Sequence, residues 1–323
     1  MAAPLIGQQL LYLSEADVQS VMPSAASVAD RIVALTAARA MGDVLIHPKA
    51  VISGRETATF FVMPVIKSGD VAGIKWLGGA PSNPARGIPA FLGTTTLNDA
   101  ETGAPVAIIA AAATTVIRTA ALSLLAARRL ASPASSTLGL IGAGMQAAAH
   151  MRAMREHFPI TRVLVSSIGD TARIFSDRWS EAGLSIEPAT PDQVLAQSDI
   201  IVSAVAADPG LLPFLDGRLL KAGAFAAMPD LGKPWTLEGL SAFAAIYTDD
   251  VASSTARGAT VAQMAAVDYA GGIDELGGNA ALPVEPDART AFLFAGTPIA
   301  DFAIAMLVNE AAIAQGVGQI LPL

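Results

Sequence analysis

The 323-residue sequence contains no cysteine, which excludes disulfides, thiolate metal sites and cysteine nucleophiles. Its three histidines, His47, His150 and His157, have no second ligand at metal-binding spacing, so no metal is expected. Charge is scarce. Only 15% of residues are charged, and a net charge of -8 offers no basic face to nucleic acid. No Gly-x-Ser-x-Gly elbow is present to build a serine hydrolase. No long apolar run escapes glycine, proline or charge, and the first ten residues carry no basic group. The expectation is a cytoplasmic protein with no membrane partner.

Against these absences stands a hydrophobic fraction of 53%, enough for a chain of this length to build two domains, each with its own core. Near the middle, the apolar run Leu138 to Ile141 meets Gly142 and Gly144, and a small-residue helix pattern follows at once. Gly142 permits a tight strand-to-helix turn. Gly144 lets the backbone approach a pyrophosphate, and Ala147 stands where a third glycine would pack helix on strand. With a second strand at Val163 to Ser167, the unit reads as a βαβ dinucleotide turn whose helix start faces the phosphates. Ser166 and Ser167 occupy the place of the acid that would hold an adenosine ribose, so NAD and NADP are not distinguished. His150 and His157 fall on or just after the first helix of this unit and read as surface groups.

Before this unit, a strand at Leu10 to Leu13 leads into a helix capped by Ser14, whose apolar period continues through Val28, Ile32 and Leu35. From Val44 the pattern becomes short extended segments, Thr57 to Pro64, Gly73 to Leu77, Thr94 to Leu97 and Val106 to Ala110. They imply an antiparallel sheet with a hairpin turn at Asn98 to Gly103. An alanine-rich helix through Leu122 to Ala131 ends at Ser132 to Ser136. After the turn, strands at 185–188, 199–205, 222–227, 246–250 and 290–296 continue an α/β pattern, and a long final helix runs from Ile299 to Gly316. The expected division is residues 1–131 with 302–323 as a substrate and dimerisation domain, and 132–301 as a Rossmann domain.

Three cations stand in apolar surroundings: Lys49, Lys75 and Arg118. Burying a cation is costly unless an anion meets it, either a carboxylate of the same domain or a ligand. Asp230 lies just past the strand ending near Ala227, where open parallel sheets place their ligands, and is a candidate catalytic carboxylate.

Together these residues resemble the ornithine cyclodeaminase and mu-crystallin superfamily. The matching segments are Gly73-Ile-Lys75, Asn83 to Pro89, Asp99 to Gly103, Thr115 to Ala121, Gly142 to Gln146, Asp230 to Lys233, and Phe294 to Asp301. The resemblance implies a homodimer with a Rossmann domain and an α+β substrate and dimerisation domain. It implies an NAD(P)-dependent oxidoreductase acting on an amino or imino acid. By position it makes Lys75 and Asp230 catalytic, and gives Lys49, Met63, Lys75, Arg118 and Ala295 to the substrate. The cofactor receives Arg118, Gly142, Gly144, Met145, Gln146, Ser167, Pro229 and Lys233. The substrate arginine of many members falls at Lys49 or its neighbour Ala50. Ornithine-cyclising members carry an acid just before the Met-Pro pair, whereas here Phe60-Phe61-Val62 precedes Met63-Pro64. The cofactor-side threonine after the fourth nucleotide strand is replaced at Ala204 or Val205. The alternatives are a deaminating cyclase that recycles NAD internally and a non-catalytic nucleotide-dependent binding protein.

Overall fold

The computed structural model describes residues 3–323 apart from 55–57, 81, 207, 209 and 258–260. Of the segments expected to be extended, Thr57 lies outside the described residues. The chain divides into two compact units, residues 1–118 with 297–323, and residues 119–296. Both junctions differ from those expected. The first falls inside one unbroken helix rather than at the Ser132 to Ser136 loop, because the alanine-rich pattern begins as early as Ala112.

The first unit is built on an eight-stranded sheet. Its strands are β1 (Gln9–Leu13), β2 (Val44–Ile46), β3 (Ala50–Ser53), β4 (Thr59–Lys67), β5 (Val71–Gly79), β6 (Phe91–Asp99), β7 (Pro105–Ala110) and a C-terminal strand, Gln319–Pro322. The order is C-terminal strand, β1, β7, β6, β5, β4, β2, with β3 also on β4. The pairings are antiparallel except that of β1 with β7, so the sheet is mixed. The β6–β7 turn forms as its residues dictate: Asp99 Oδ1 accepts from the Thr102 N–H at 2.7 Å, and Asn98 Nδ2 donates to the Gly103 carbonyl at 2.9 Å.

The helical period after Ser14 is not one helix. α1 (Glu15–Ser20) stops before Pro23, and Ser24 caps a second helix, α2 (Ala25–Ala40). Proline cannot donate a backbone hydrogen bond, so the break falls there. The final helix, Pro298–Gln315, packs with α2 and lies against β4, β5 and β6. Gly73 makes the approach possible, since a Cβ there would sit 2.8 Å from the Phe302 ring.

The other face of this sheet is unusual. Ile52, Ile66, Ile74, Trp76 and Leu92 are all more than a third exposed, with Phe60 stacked on Trp76 at 5.0 Å. The register of β3 to β6 puts them on one side, opposite Lys75 and Met63. An antiparallel sheet with one buried face normally presents polar residues on the other.

α3 (Ala112–Leu130) leads into the second unit, a seven-stranded sheet. Its strands are β8 (Thr137–Ile141), β9 (Arg162–Ser166), β10 (Ser185–Pro188), β11 (Ile200–Ser203), β12 (Phe225–Met228), β13 (Ala245–Thr248) and β14 (Thr290–Leu293). The order is β10-β9-β8-β11-β12-β14-β13, and every pairing is parallel. Helices α4 (Met145–Arg155), α5 (Thr171–Trp179) and α6 (Pro191–Gln197) alternate with the first strands. β11, β12 and β14 are buried at every position, as parallel strands covered on both faces must be. The fold is α/β, with a Rossmann-type parallel sheet in the second unit. Among the described residues, no helix is long and apolar enough to cross a membrane.

Candidate active site

The candidate residues fall into two groups, one in each unit. In the first unit, Lys75 projects from the inner face of β5, with Met63 of β4 and Thr95 of β6 directly beside it in register. It is 1% exposed. Its Nζ donates to Asp301 Oδ1 at 2.5 Å and to Thr115 Oγ1 at 2.6 Å. Arg118 reaches the same carboxylate, with Nε 3.2 Å from Asp301 Oδ1. One acid on the final helix therefore neutralises two of the three cations singled out from the sequence. A lysine carries three donors, so one N–H of Lys75 is left beyond these two partners.

Burial pushes the Lys75 ammonium down to about 8 against the opposing pull of Asp301, and the Arg118 charge adds to the depression. For Asp301, burial would raise the carboxyl. The charges of Arg118 and Lys75 and the Lys75 hydrogen bond outweigh that, and hold it below the usual carboxylate range. Lys49 adds to the same positive field. Its Nζ lies 5.9 Å from the centre of the Phe61 ring, in the short connection between β2 and β3, while Ala50 is exposed.

In the second unit, the turn after β8 takes the form its glycines require. Gly142 has φ +105°, and a Cβ there would meet the Ala204 carbonyl oxygen at 2.5 Å. Gly144 is the N-cap of α4, no side-chain cap is formed there among the described residues, and a Cβ at Gly144 would point into open space. Met145 is exposed beside it, and the buried Gln146 Oε1 has no hydrogen-bond partner among the described residues. Uncapped first-turn amides, open approach at Gly144 and an unpartnered polar atom fit a bound phosphate-bearing group. Ala147 is buried where α4 meets the sheet. Ser167, just past β9, accepts a hydrogen bond from Thr171 Oγ1 at 2.7 Å.

His150 corrects the expectation of a surface group. It is fully buried in α4, with Nε2 2.8 Å from Ser123 Oγ and Nδ1 2.7 Å from the Gln146 carbonyl, and burial pushes its pKa down to about 4. It is a neutral core residue.

Asp230 follows β12 and Pro229. Leu231, at φ +65°, and Gly232, at φ +69°, are both left-handed, which folds the chain back on the carboxylate. A left-handed leucine costs about 1–2 kcal/mol, and such strain persists where surrounding contacts over-determine it. Here Asp230 Oδ1 accepts from Ser203 Oγ at 3.0 Å and the Gly232 N–H at 3.3 Å, and Oδ2 accepts from the Val205 N–H at 3.2 Å. Position 205 thus contributes through its backbone, where the expected threonine hydroxyl is absent. Burial dominates these donors and pushes the Asp230 carboxyl up to about 7. Lys233 is on the same turn, its N–H donating to the Asp230 carbonyl at 3.4 Å. Ala295 is buried, with its N–H donated to Asp249 Oδ1 at 2.6 Å and that of Gly296 to Oδ2 at 2.8 Å.

Sequence reasoning missed Asp301, Thr115, Ser203, Trp235 and Asp249. For Asp301 a signal was present: a lone acid in the apolar stretch Ile299 to Val308 raises the same question of a partner as Lys75. Ser203 and Trp235 carry no such signal, because a serine at a strand end and a loop tryptophan are ordinary.

Residues 10–316 match the ornithine cyclodeaminase/mu-crystallin family. The chain is 32% identical over 266 residues to iminosuccinate reductase of Paracoccus denitrificans, covering 77% of this chain and 79% of that protein. It is 33% identical over 165 residues to alanine dehydrogenase of Archaeoglobus fulgidus, covering 51% of this chain and about half the length of that relative, 50%. Among solved structures, an archaeal alanine dehydrogenase dimer with bound NAD superposes with a TM-score of 0.83 at 25% identity, covering 97% of this chain and 99% of the other.

Proposed function

The chain belongs to the ornithine cyclodeaminase/mu-crystallin family, and from this premise we propose that it is an NAD(P)-dependent oxidoreductase interconverting an imino acid and an amino acid. The observation that carries the proposal is Asp230: a carboxyl held near neutrality at the C-terminal end of a parallel strand, in the unit that bears the dinucleotide turn. A group poised near the working pH can give a proton in one direction and take it in the other. The iminosuccinate reductase and alanine dehydrogenase relatives support a C=N or C–N substrate.

The α4 start, Gly142, Gly144, Met145 and Gln146 would hold the dinucleotide, with Arg118, Ser167, Pro229 and Lys233 as further contacts. When bound, the nicotinamide supplies or accepts the hydride at the substrate Cα. Protonated Asp230 gives its proton to the imine nitrogen in the reductive direction, and ionised Asp230 removes it from the amine in the reverse. The remaining N–H of Lys75 binds the substrate carboxylate by a charge-assisted hydrogen bond, with Lys49 and Arg118 adding positive charge. Met63 and Ala295 are apolar walls. Asp301 fixes Lys75 and Arg118 without touching substrate. The exposed apolar face of the first unit's sheet supports a homodimer, a second copy covering Ile74, Trp76 and their neighbours.

The test is turnover with NADH and NADPH over a panel of small 2-oxo acids and amines, read as nicotinamide absorbance, for the parent and Asp230→Asn. We expect net cofactor oxidation, and a loss in kcat of about 10² to 10⁴ for the variant with little change in cofactor affinity. Consumption of a diamino acid with no net absorbance change would point instead to cyclodeamination. Cofactor binding with no turnover on any pair would point to a binding protein.

A further inference from the structure

Trp235 is fully buried, and its indole N–H donates to Ser203 Oγ at 3.0 Å; Ser203, also fully buried, is the last residue of β11. An indole nitrogen can only donate. Ser203 Oγ is therefore the acceptor in that bond, and its single proton is free to go only elsewhere, to Asp230 Oδ1 at 3.0 Å. Each end of this chain is held: the Ser203 backbone lies in register with Ile141 of β8, and the Trp235 carbonyl accepts from Gln263 Nε2 at 3.2 Å. The two carboxylate oxygens of Asp230 are consequently unequal. Among the described residues, Oδ1 receives the Ser203 hydroxyl and the Gly232 amide and Oδ2 the Val205 amide, and the N–H of Asp230 itself also favours the ionised carboxylate.

We propose that Trp235 and Ser203 form a one-way hydrogen-bond relay that locks Asp230 Oδ1 as an acceptor, so that Oδ2 is the oxygen that takes up and releases the proton. Ser203 and Trp235 are positioning residues, acting through Asp230. The proposal rests on the catalytic reading of Asp230 for its consequence in turnover, and on geometry alone for its effect on the carboxyl. The groups that meet Asp230 are Ser203 and Val205 from β11 and its end, and Gly232 and Lys233 from its own turn. Of these only Lys233 is ionisable, and the donors to the carboxylate, Ser203, Val205, Gly232 and the N–H of Asp230 itself, are uncharged.

The experiment is ¹³C NMR titration of aspartate carboxyl carbons in the full-length protein, with the Asp230 signal assigned by its loss in Asp230→Asn. Ser203→Ala removes a donor to the ionised form, so the Asp230 midpoint should rise by about one pH unit. Trp235→Phe frees the serine hydroxyl to rotate and should raise it by about half a unit. Ser203→Thr keeps the hydroxyl and should titrate with the parent. The relay is overturned if Ser203→Ala or Trp235→Phe titrates with the parent, or if Ser203→Thr shifts as far as Ser203→Ala. Should Ser203→Ala fail to fold, the other two variants decide by the same criteria. The activity of Asp230→Asn judges the catalytic reading separately, since the titration requires no turnover.

Discussion

Replacing Asp301 by Asn keeps the shape of the side chain and removes the one negative charge shared by Lys75 and Arg118. The cost can be bounded from the surroundings. Lys75 is 1% exposed, so it finds no compensating water. It has an escape, however: it can release its proton. In the parent it titrates near 8 instead of the ordinary 10.5, so at pH 7 its share of the extra cost is limited to the one unit between 8 and 7, about 1.4 kcal/mol. Arg118 also loses its carboxylate partner, but its side chain is 12% exposed and partly hydrated. Its loss of an anionic partner, with the Lys75 hydrogen bond weakened to one accepted by an uncharged amide oxygen, adds about 1–2 kcal/mol. The sum, about 3 kcal/mol, should lower the thermal midpoint by roughly 4–5 °C for a protein of this size.

The pH dependence is the sharper signature. A lysine whose folded pKa lies below its unfolded value destabilises the fold while it is charged, and the parent recovers stability as pH rises from about 8 to 10.5. Without Asp301 the folded pKa falls further, so the variant's deficit is largest at low pH. It shrinks by up to about 1.4 kcal/mol per unit towards pH 8, leaving the Arg118 share above that. Thermal denaturation followed by far-ultraviolet circular dichroism at pH 6, 7 and 9 measures this directly. An unchanged midpoint at pH 7, or a deficit equal at pH 6 and 9, would refute the assignment of a charged Lys75 buried against Asp301.

Trp76→Glu places a charge in the centre of the exposed apolar sheet face, and light scattering is expected to show a dimer for the parent and a monomer for the variant; a dimeric variant would remove this face as the interface. His150 titrates near 4 when folded and 6.5 when unfolded, so it supports the fold above pH 6.5 and withdraws about 3 kcal/mol as pH falls to 4. His150→Gln should flatten that part of the acid-stability curve measured by denaturant titration, and an acid limb as steep as the parent's would contradict a buried neutral histidine. Gly142→Ala meets the Ala204 carbonyl at 2.5 Å with φ +105°, so NADH affinity measured by fluorescence titration should fall at least about tenfold. An equal affinity would separate this turn from nucleotide binding.

How much of this was legible in the residues depends on whether a group's partner is local in sequence. The dinucleotide turn was legible because its whole chemistry, a buried strand, two glycines and a helix start, lies within a dozen consecutive positions, and the structure realises it with Gly142 left-handed and Gly144 at the helix cap. Lys75 could be singled out from its apolar flanks, but the identity of its partner could not. Asp301 lies 226 residues away, and reaches it only because Gly73 lets the final helix settle on β5. The break between α1 and α2 was hidden by an apolar period that runs across Pro23 in register, so that periodicity outweighed the proline in the reading and not in the fold. His150 shows the opposite error. A histidine among alanines on a helix reads as polar and therefore exposed, yet two hydrogen bonds, one of them to Ser123 at a separation of 27 residues, make its burial affordable as the neutral form. The same reasoning places the chemical identity of Asp230. Its position at a strand end and the local Gly232 amide could be read from pattern, whereas its proton affinity is also set by Ser203 and Val205, which no spacing rule connects to it, and by the burial that outweighs these donors.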